Sequence, residues 1–247
     1  MIYDKKESVM RVSKKTWFNS LLILSITLGM ACGDDKTSDN NVSVSFAGDI
    51  PPLLTKGLKK SASHVTIDTA KILIKSIKLG GSGPSDSSDF KTGPYVLFIT
   101  EGASLKTLSA ANVPEGEYDQ VKFEIHLPSQ NESVPDPDFR EGSGGNERYS
   151  AVIIGHYDGS RFVFKSKSTV NVQSDISPSV IVADSVGTAN LTLGVSTSIW
   201  FTDGEVNLDP TNTNASNVAK IEQSIRNSFY GFRDNNKDGD ADVQIER

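Results

Sequence analysis

Apolar and polar residues alternate along most of the chain beyond residue 41, and a period of two marks strands buried on one side. Val42, Val44 and Phe46 alternate with Ser43 and Ser45, which predicts a strand whose serines face water. In "HVTIDTAKILIKSIKLG" the apolar phase runs through Val65, Ile67, Ile72 and Ile74, then slips at Lys75-Ser76 so that Ile77 and Leu79 carry it. A β-bulge or a bend between sheets accounts for such a slip. The cleanest alternation is "YDQVKFEIHL", with Val121, Phe123, Ile125 and Leu127 toward the core and Gln120, Lys122, Glu124 and His126 toward water. Asp158-Gly159 between two apolar runs predicts a two-residue hairpin, because a type I′ turn needs positive φ at both central residues. Leu191, Leu193, Val195, Ile199 and Phe201 extend the alternation on odd positions.

Between these runs, "GGSGPSDSSDFKTG" and "PSQNESVPDPDFREGSGGNE" are rich in Gly, Pro, Ser and Asp and read as exposed loops. One stretch changes period. In "NVAKIEQSIRNSFYGFR" Val218, Ile221, Ile225, Phe229 and Phe232 recur at spacings of three and four, so a helix with one apolar stripe is expected to dock on the domain. Asn214 or Ser216 is its N-cap, and Glu222 pairs with Arg226 on its exposed side for about 0.3–0.5 kcal/mol. The pattern as a whole predicts a mostly β protein, an antiparallel β-sandwich or barrel with one C-terminal amphipathic helix. The sandwich is expected over residues 42–210, and the helix with the acidic loop after it over 211–247.

The first residues follow a different rule. Lys14 and Lys15 precede "WFNSLLILSITLGMAC", an uncharged apolar run too short to span a bilayer comfortably, and residues 1–31 read as an export signal. Met10 is an alternative start, since Asp4 and Glu7 are foreign to the basic region of a signal peptide. Leu28-Gly29-Met30-Ala31 before Cys32 resembles a bacterial lipobox, although Gly29 stands where a typical lipobox has Leu. The resemblance implies that Cys32 is diacylated and becomes the mature N-terminus. Gly29-Met30-Ala31 also fits ordinary signal cleavage, which would release a soluble product. Cys32 is the only cysteine, and a free thiol on an exported protein is unusual, which favours the lipid. More than one acyl chain makes such an anchor stable. Residues 32–41 are then an acidic tether, and Gly33-Asp34-Asp35-Lys36 looks similar to a surface-export signal of Bacteroidetes lipoproteins or is a plain spacer.

Charge narrows the partners. Without residues 1–31 the chain keeps 20 basic and 29 acidic side chains, a net charge of −9, and no basic run, which argues against nucleic acid. The segment "LKTLSAANVPEGEYDQVKFEIH" resembles the central motif of a family of bacterial lipoprotein domains of unknown function, in which a Pro-x-Gly-x-Tyr turn introduces a strand. Here that turn is Pro114-Glu115-Gly116-Glu117-Tyr118, and the tail "IRNSFYGFRDNNKDGDAD" is similar to the ends of such proteins. The resemblance implies an Ig-like β-sandwich and supplies no catalytic residue.

Catalytic spacings are missing from the sequence. His64, His126 and His156 stand apart, none in a His-Glu-x-x-His pattern, and His126 falls on the polar phase of its strand, where an exposed ring is expected. No Gly-x-Ser-x-Gly elbow occurs, and "GSGGN" lacks the strand and helix that frame a phosphate loop. Trp200 and Phe201 with Tyr149 and Tyr157 could form an aromatic platform, with Phe201 the better core candidate. Two loop carboxylates could flank a glycosidic bond, so an anchored or secreted glycan hydrolase is an alternative to a binding module, and a surface adhesin is another.

One segment has metal-ligand spacing. Asp234, Asn236, Asp238, Asp240 and Asp242 fall at every second position around Gly239, matching positions one, three, five, seven and nine of an EF-hand-like loop with its glycine at six. Position twelve is Ile245, with Glu246 one residue late, so a calcium site here would be weak, about 10⁻⁴ to 10⁻³ M. A solvated acidic tail is the competing reading. The expected protein is thus a non-catalytic cell-envelope lipoprotein of the outer membrane, lipid-anchored at Cys32, with calcium at its C-terminal loop and a protein or glycan ligand.

Overall fold

In a computed structural model of the chain the described residues are 41–48, 64–81, 88–89, 94–100, 105–185 and 187–242. In chain order the first strands are β1 (Val42–Gly48), β2 (Val65–Gly81), β3 (Ser88–Asp89), β4 (Tyr95–Thr100), β5 (Lys106–Ala111) and β6 (Gly116–Ile125). A short hairpin, β7 (Arg140–Glu141) and β8 (Glu147–Arg148), precedes β9 (Ala151–Tyr157), β10 (Ser160–Ser166), β11 (Val170–Val182) and β12 (Ala189–Val195). The last elements are the small pair β13 (Thr202–Asp203) and β14 (Val206–Asn207), the helix α1 (Ala215–Asn227) and β15 (Phe229–Arg233).

The fold is mostly β with one helix among the described residues, as the alternation predicts. Eleven strands make one curled sheet in the order β10-β9-β2-β6-β11-β15-β12-β1-β5, with β3 and β4 also paired to β2. It is not antiparallel throughout. β1 runs parallel to β12, and β11 runs parallel to β15 at Ile176 and Gly231. Both parallel pairs join strands far apart in the chain, where no hairpin forces an antiparallel return.

β2 is where the sheet changes partners. Its first half pairs with β9 and its second with β6, and the register shifts between Ile74 and Ile77, the bulge that the slip at Lys75-Ser76 predicts. At the junction Leu73 N–H donates to Ser150 O at 2.9 Å and Leu73 O accepts His126 N–H at 2.8 Å. The β9–β10 hairpin turns at Asp158 and Gly159, whose φ values of 48° and 79° are the two positive angles its sequence requires. Gly155 on β9 is needed for another reason: a Cβ there would lie 2.0 Å from Thr66 O, where β9 crosses a second register shift of β2.

The interior of the curl is filled by Ile72, Ile74, Leu79, Tyr118, Phe123, Leu191 and Phe229, closed at one end by Trp200, Phe201, Ile221 and Ile225. Each such side chain contributes about 1.5–3 kcal/mol by leaving water. Trp200 is fully buried and its Nε1–H donates to Ser228 Oγ at 2.7 Å, which ties the end of α1 to this plug. Trp200 and Phe201 are therefore core, and the aromatic platform is not formed by them; Phe201 packs edge-to-face on Phe162 with centroids 5.3 Å apart.

Four local expectations are overturned. The helix stops at Asn227, and Phe229–Arg233 is a strand, because Ser228 ends the helix by donating its N–H to Ile225 O and the aromatic run "FYGF" pairs with β12. Asn214 is the N-cap, accepting Ser216 N–H at 2.9 Å, but Glu222 accepts Ser166 Oγ (2.6 Å) and Ser168 Oγ (2.7 Å) instead of facing solvent beside Arg226. The alternation on odd positions ends at Val195, and Thr197–Ile199 is a short 3-10 turn. The segment 128–147 is not simply an exposed loop. Phe139 is fully buried on Leu73, Tyr149 and Val152, so this segment covers the outer face of β2 and β9.

Candidate functional site

The Asp-rich segment leaves β15 directly, so it is entered from a strand and not from the helix of an EF-hand-like unit. Lys237 and Gly239 have φ of 57° and 90°, and these left-handed residues fold the chain back on itself. Asp234 is the hub of the turn. Its Oδ1 accepts Asp238 N–H and its Oδ2 accepts Gly239 N–H, both at 3.1 Å. Asn236 Nδ2–H donates to Asp238 Oδ2 at 2.7 Å, and Asp240 N–H donates to Asp238 Oδ1 at 2.9 Å. Asp234, Asn236 and Asp238 are thereby brought onto one turn. Asp242 Oδ2 accepts Asn235 N–H at 3.0 Å and stands 3.5 Å from Arg233 Nε. Asp240 presents its carboxylate to solvent. Among the described residues no group of three or more acidic, His or Cys side chains is arranged as a metal cage.

Beneath the turn lies a polar network that alternation alone does not reveal. Asp234 is 0% exposed, and so are Asn190 and Thr192 on β12. Thr192 Oγ1 donates to Asp234 Oδ2 at 2.8 Å, and Asn190 Nδ2–H donates to Asp234 O at 2.9 Å. Ser43 and Ser45 on β1 donate to Asn190 Oδ1 at 2.7 and 3.0 Å. These serines and the polar residues of β12 were expected on a wet face, yet both faces of these two strands are buried. The side chains satisfy one another there, as buried polar groups must. Asn190 and Thr192 in "NLTLG", polar residues at strand positions opposite Ser43 and Ser45, are the signal that points to this network.

The Pro-x-Gly-x-Tyr motif has a structural task. Tyr118 is fully buried, and its hydroxyl donates back to Pro114 O at 2.9 Å, which fixes the turn leading into β6. Burial raises its phenol above the ordinary value. Gly81 makes this approach possible, since a Cβ there would stand 2.3 Å from Glu117 O.

Two carboxylates do come together at the β7–β8 hairpin. Glu141 and Glu147 are cross-strand partners, and both accept from Tyr149 Oη, at 3.2 and 3.4 Å. Lys165 pairs with Glu141 and Lys167 with Glu147, and these hydrogen bonds hold both carboxyls below their ordinary range. Burial, helped by the two glutamates, pushes the Tyr149 phenol up to about 12. A glycosidic acid needs a carboxyl raised toward neutrality, and neither of these is.

His126 is the other surprise. The polar phase of its strand predicts an exposed ring, but the residue is 6% exposed, because the 128–147 segment folds over it. His64 and His156 lie at the surface beside Asp158 and Asp68. Between α1 and the β13–β14 pair a groove of about 540 Å³ is lined by Ile199, Thr202, Lys220 and Gln223, and its Lys220 is paired with Asp203 at 2.8 Å.

Residues 1–31, Cys32, tether residues 33–40, Ile245 and Glu246 lie outside the described residues. No helix among the described residues is long and apolar enough to cross a membrane. No family model, no curated protein and no solved structure matches the chain.

Proposed function

We propose that this chain is a bacterial cell-envelope lipoprotein, held to the outer membrane by lipid on Cys32, whose β domain is a non-catalytic binding or structural module. The observation that carries the anchor is the lone cysteine at the end of the apolar run after Lys14 and Lys15. The net charge of −9 beyond residue 31 directs the search for its ligand to proteins and glycans and away from nucleic acid. An Ig-like sandwich is the finer reading of the curled sheet, supported by two groups of strands, β10-β9-β2-β6 and β15-β12-β1-β5, that meet at β11 around one core.

A weak calcium ion at the C-terminal loop belongs to the same proposal. Asp234 is a fully buried carboxylate, and none of its partners among the described residues is a cation. Asp234, Asn236 and Asp238 would hold the ion, with Asp240 and Asp242 on the outgoing limb of the turn. Its role would be to neutralise the turn and stabilise this end of the sheet.

Two experiments separate the parts. Metabolic labelling with a fatty acid should mark the wild type and not Cys32→Ser, and label that persists in the variant overturns the anchor. Thermal unfolding in millimolar calcium against chelator should show a calcium-dependent rise that Asp238→Ala abolishes, and an equal rise in both proteins removes the ion.

A further inference from the structure

The His126 ring lies between two carboxylates that belong to different parts of the chain. Nδ1 is 2.8 Å from Glu124 Oε1 on its own strand. Nε2 is 2.9 Å from Glu132 Oε1 and 3.0 Å from Glu132 Oε2, on the segment that leaves β6 and folds over it. The two nitrogens point in opposite directions, so the three groups do not converge on a shared metal. Carboxylates only accept, and an imidazole has two N–H donors only when it carries both protons. All the contacts are satisfied together in one state, the imidazolium between two ionised glutamates.

Glu132 closes a turn as well. Its Oε2 accepts Ser129 N–H at 3.0 Å and Ser129 Oγ at 3.3 Å, while Glu132 N–H donates to Ser129 O at 3.2 Å. Burial acts to raise the Glu132 carboxyl, but the Ser129 amide and the His126 ring outweigh it and hold it below its ordinary value. Other charges face this cluster from each neighbouring element. Lys75 on β2 is 3.9 Å from Glu124, and Arg148 donates to Pro128 O at 2.6 Å. Arg140 donates to Ser129 O and Gln130 O at 2.7 Å and also to Glu132 O. Thr169, just before β11, accepts Leu127 N–H, and Asn171 on β11 stands opposite Glu124. The two guanidinium groups fix the main chain of the segment through these carbonyls.

We infer that His126 is a proton-operated latch: as imidazolium it clamps the 129–132 turn onto β6, and loss of one ring proton to water loosens that turn. In the neutral ring one nitrogen turns a lone pair toward a carboxylate, and the remaining N–H donates without the ring's positive charge, so its bond weakens. The two glutamates are then left facing each other across a neutral ring, with Lys75 3.9 Å from Glu124 and the arginines engaged by main-chain carbonyls. Arg140 holds the turn's own carbonyls at Ser129, Gln130 and Glu132 and Arg148 holds Pro128 O, so the loosening is that of the Glu132 carboxylate from the Ser129 amide while the main chain of the segment stays in place.

The test is amide hydrogen exchange of the full chain from about pH 5 to about pH 9, corrected for intrinsic base catalysis, with the His126 ring protons followed by NMR in the same samples. Protection of the Ser129 amide should fall about tenfold or more as the ring signals titrate, while Phe123 on β6 keeps its protection. His126→Gln should show the low protection at every pH. Protection that stays level while the ring titrates overturns the latch, as does a His126→Gln variant that keeps the wild-type pH dependence. Should that variant not fold, Glu132→Gln supplies the second readout. With the clamp broken, its Ser129 amide should exchange fast and without pH dependence beyond the intrinsic rate, and a wild-type profile there also overturns the latch.

Discussion

Replacing Asp234 by Ala removes one carboxylate and three hydrogen bonds. Thr192 Oγ1, Asp238 N–H and Gly239 N–H would lose their acceptor, at present 2.8, 3.1 and 3.1 Å away. Each such bond contributes about 1 kcal/mol net, and a buried donor left without a partner costs more, so the variant should lose about 3 kcal/mol. Asp234→Asn keeps one carbonyl oxygen for the same donors and should lose about half as much. For a domain of this size that is about 6–12 °C in Tm for the alanine and about 3–6 °C for the asparagine. The measurement is urea and thermal unfolding followed by far-UV circular dichroism, with chelator present throughout. The chelator separates the loop's attachment to β12 from any contribution of a bound ion. An alanine variant within about 0.5 kcal/mol of wild type, or an asparagine variant as costly as alanine, would refute the claim that the buried carboxylate anchors the turn.

Other outcomes follow from single contacts. Tyr118→Phe removes the hydroxyl bond to Pro114 O and should cost about 0.5–1.5 kcal/mol in urea unfolding with the slope unchanged; an unaltered midpoint would show that the corner adds nothing. Gly155→Ala places a methyl 2.0 Å from Thr66 O and should cost about 1–3 kcal/mol or more, whereas Gly159→Ala has open space but positive φ and should cost less. Acid should weaken the segment over β2. Glu132 and Asp136 have folded values below the ordinary 4.5 and 3.8, so the stability they contribute is present above those values and is lost as pH falls through the lower folded ones. Burial opposes the shift of Asp136, and the Lys71 hydrogen bond at 2.6 Å drives it; Lys71→Met should therefore flatten the loss of stability between about pH 5 and pH 3, and an unchanged slope would count against that assignment.

Much of the scaffold is legible from local pattern because its causes are local. The hairpin at Asp158-Gly159, the slip in β2, the Asn214 cap and the β character of the chain each depend on a few adjacent residues. Where a partner from elsewhere in the chain decides, the pattern misleads. His126 has the alternation of an exposed residue but is covered by a segment whose Phe139 finds Leu73 and Val152. Phe229 and Phe232 continue a helical spacing by coincidence, and pairing with β12 makes them strand residues. The acidic loop is visible as a spacing, but its attachment to Thr192 and Asn190 is not.

The sequence by itself determines that much of the chain alternates as strands, that Asp158-Gly159 turns a hairpin, that one helix is capped at Asn214 or Ser216, and that Asp234, Asn236 and Asp238 recur at every second position around Gly239. Tertiary structure alone decides that β15 enters between β11 and β12, parallel to β11, and that β1 lies parallel to β12. It also decides that Ser43, Ser45, Asn190 and Thr192 are buried beneath Asp234. The physical reason is that alternation records which side chains share a face, while burial of that face depends on what the rest of the chain lays over it. A serine opposite an asparagine 147 residues away is polar in both readings, and only the fold turns it from a solvated residue into part of an interior network.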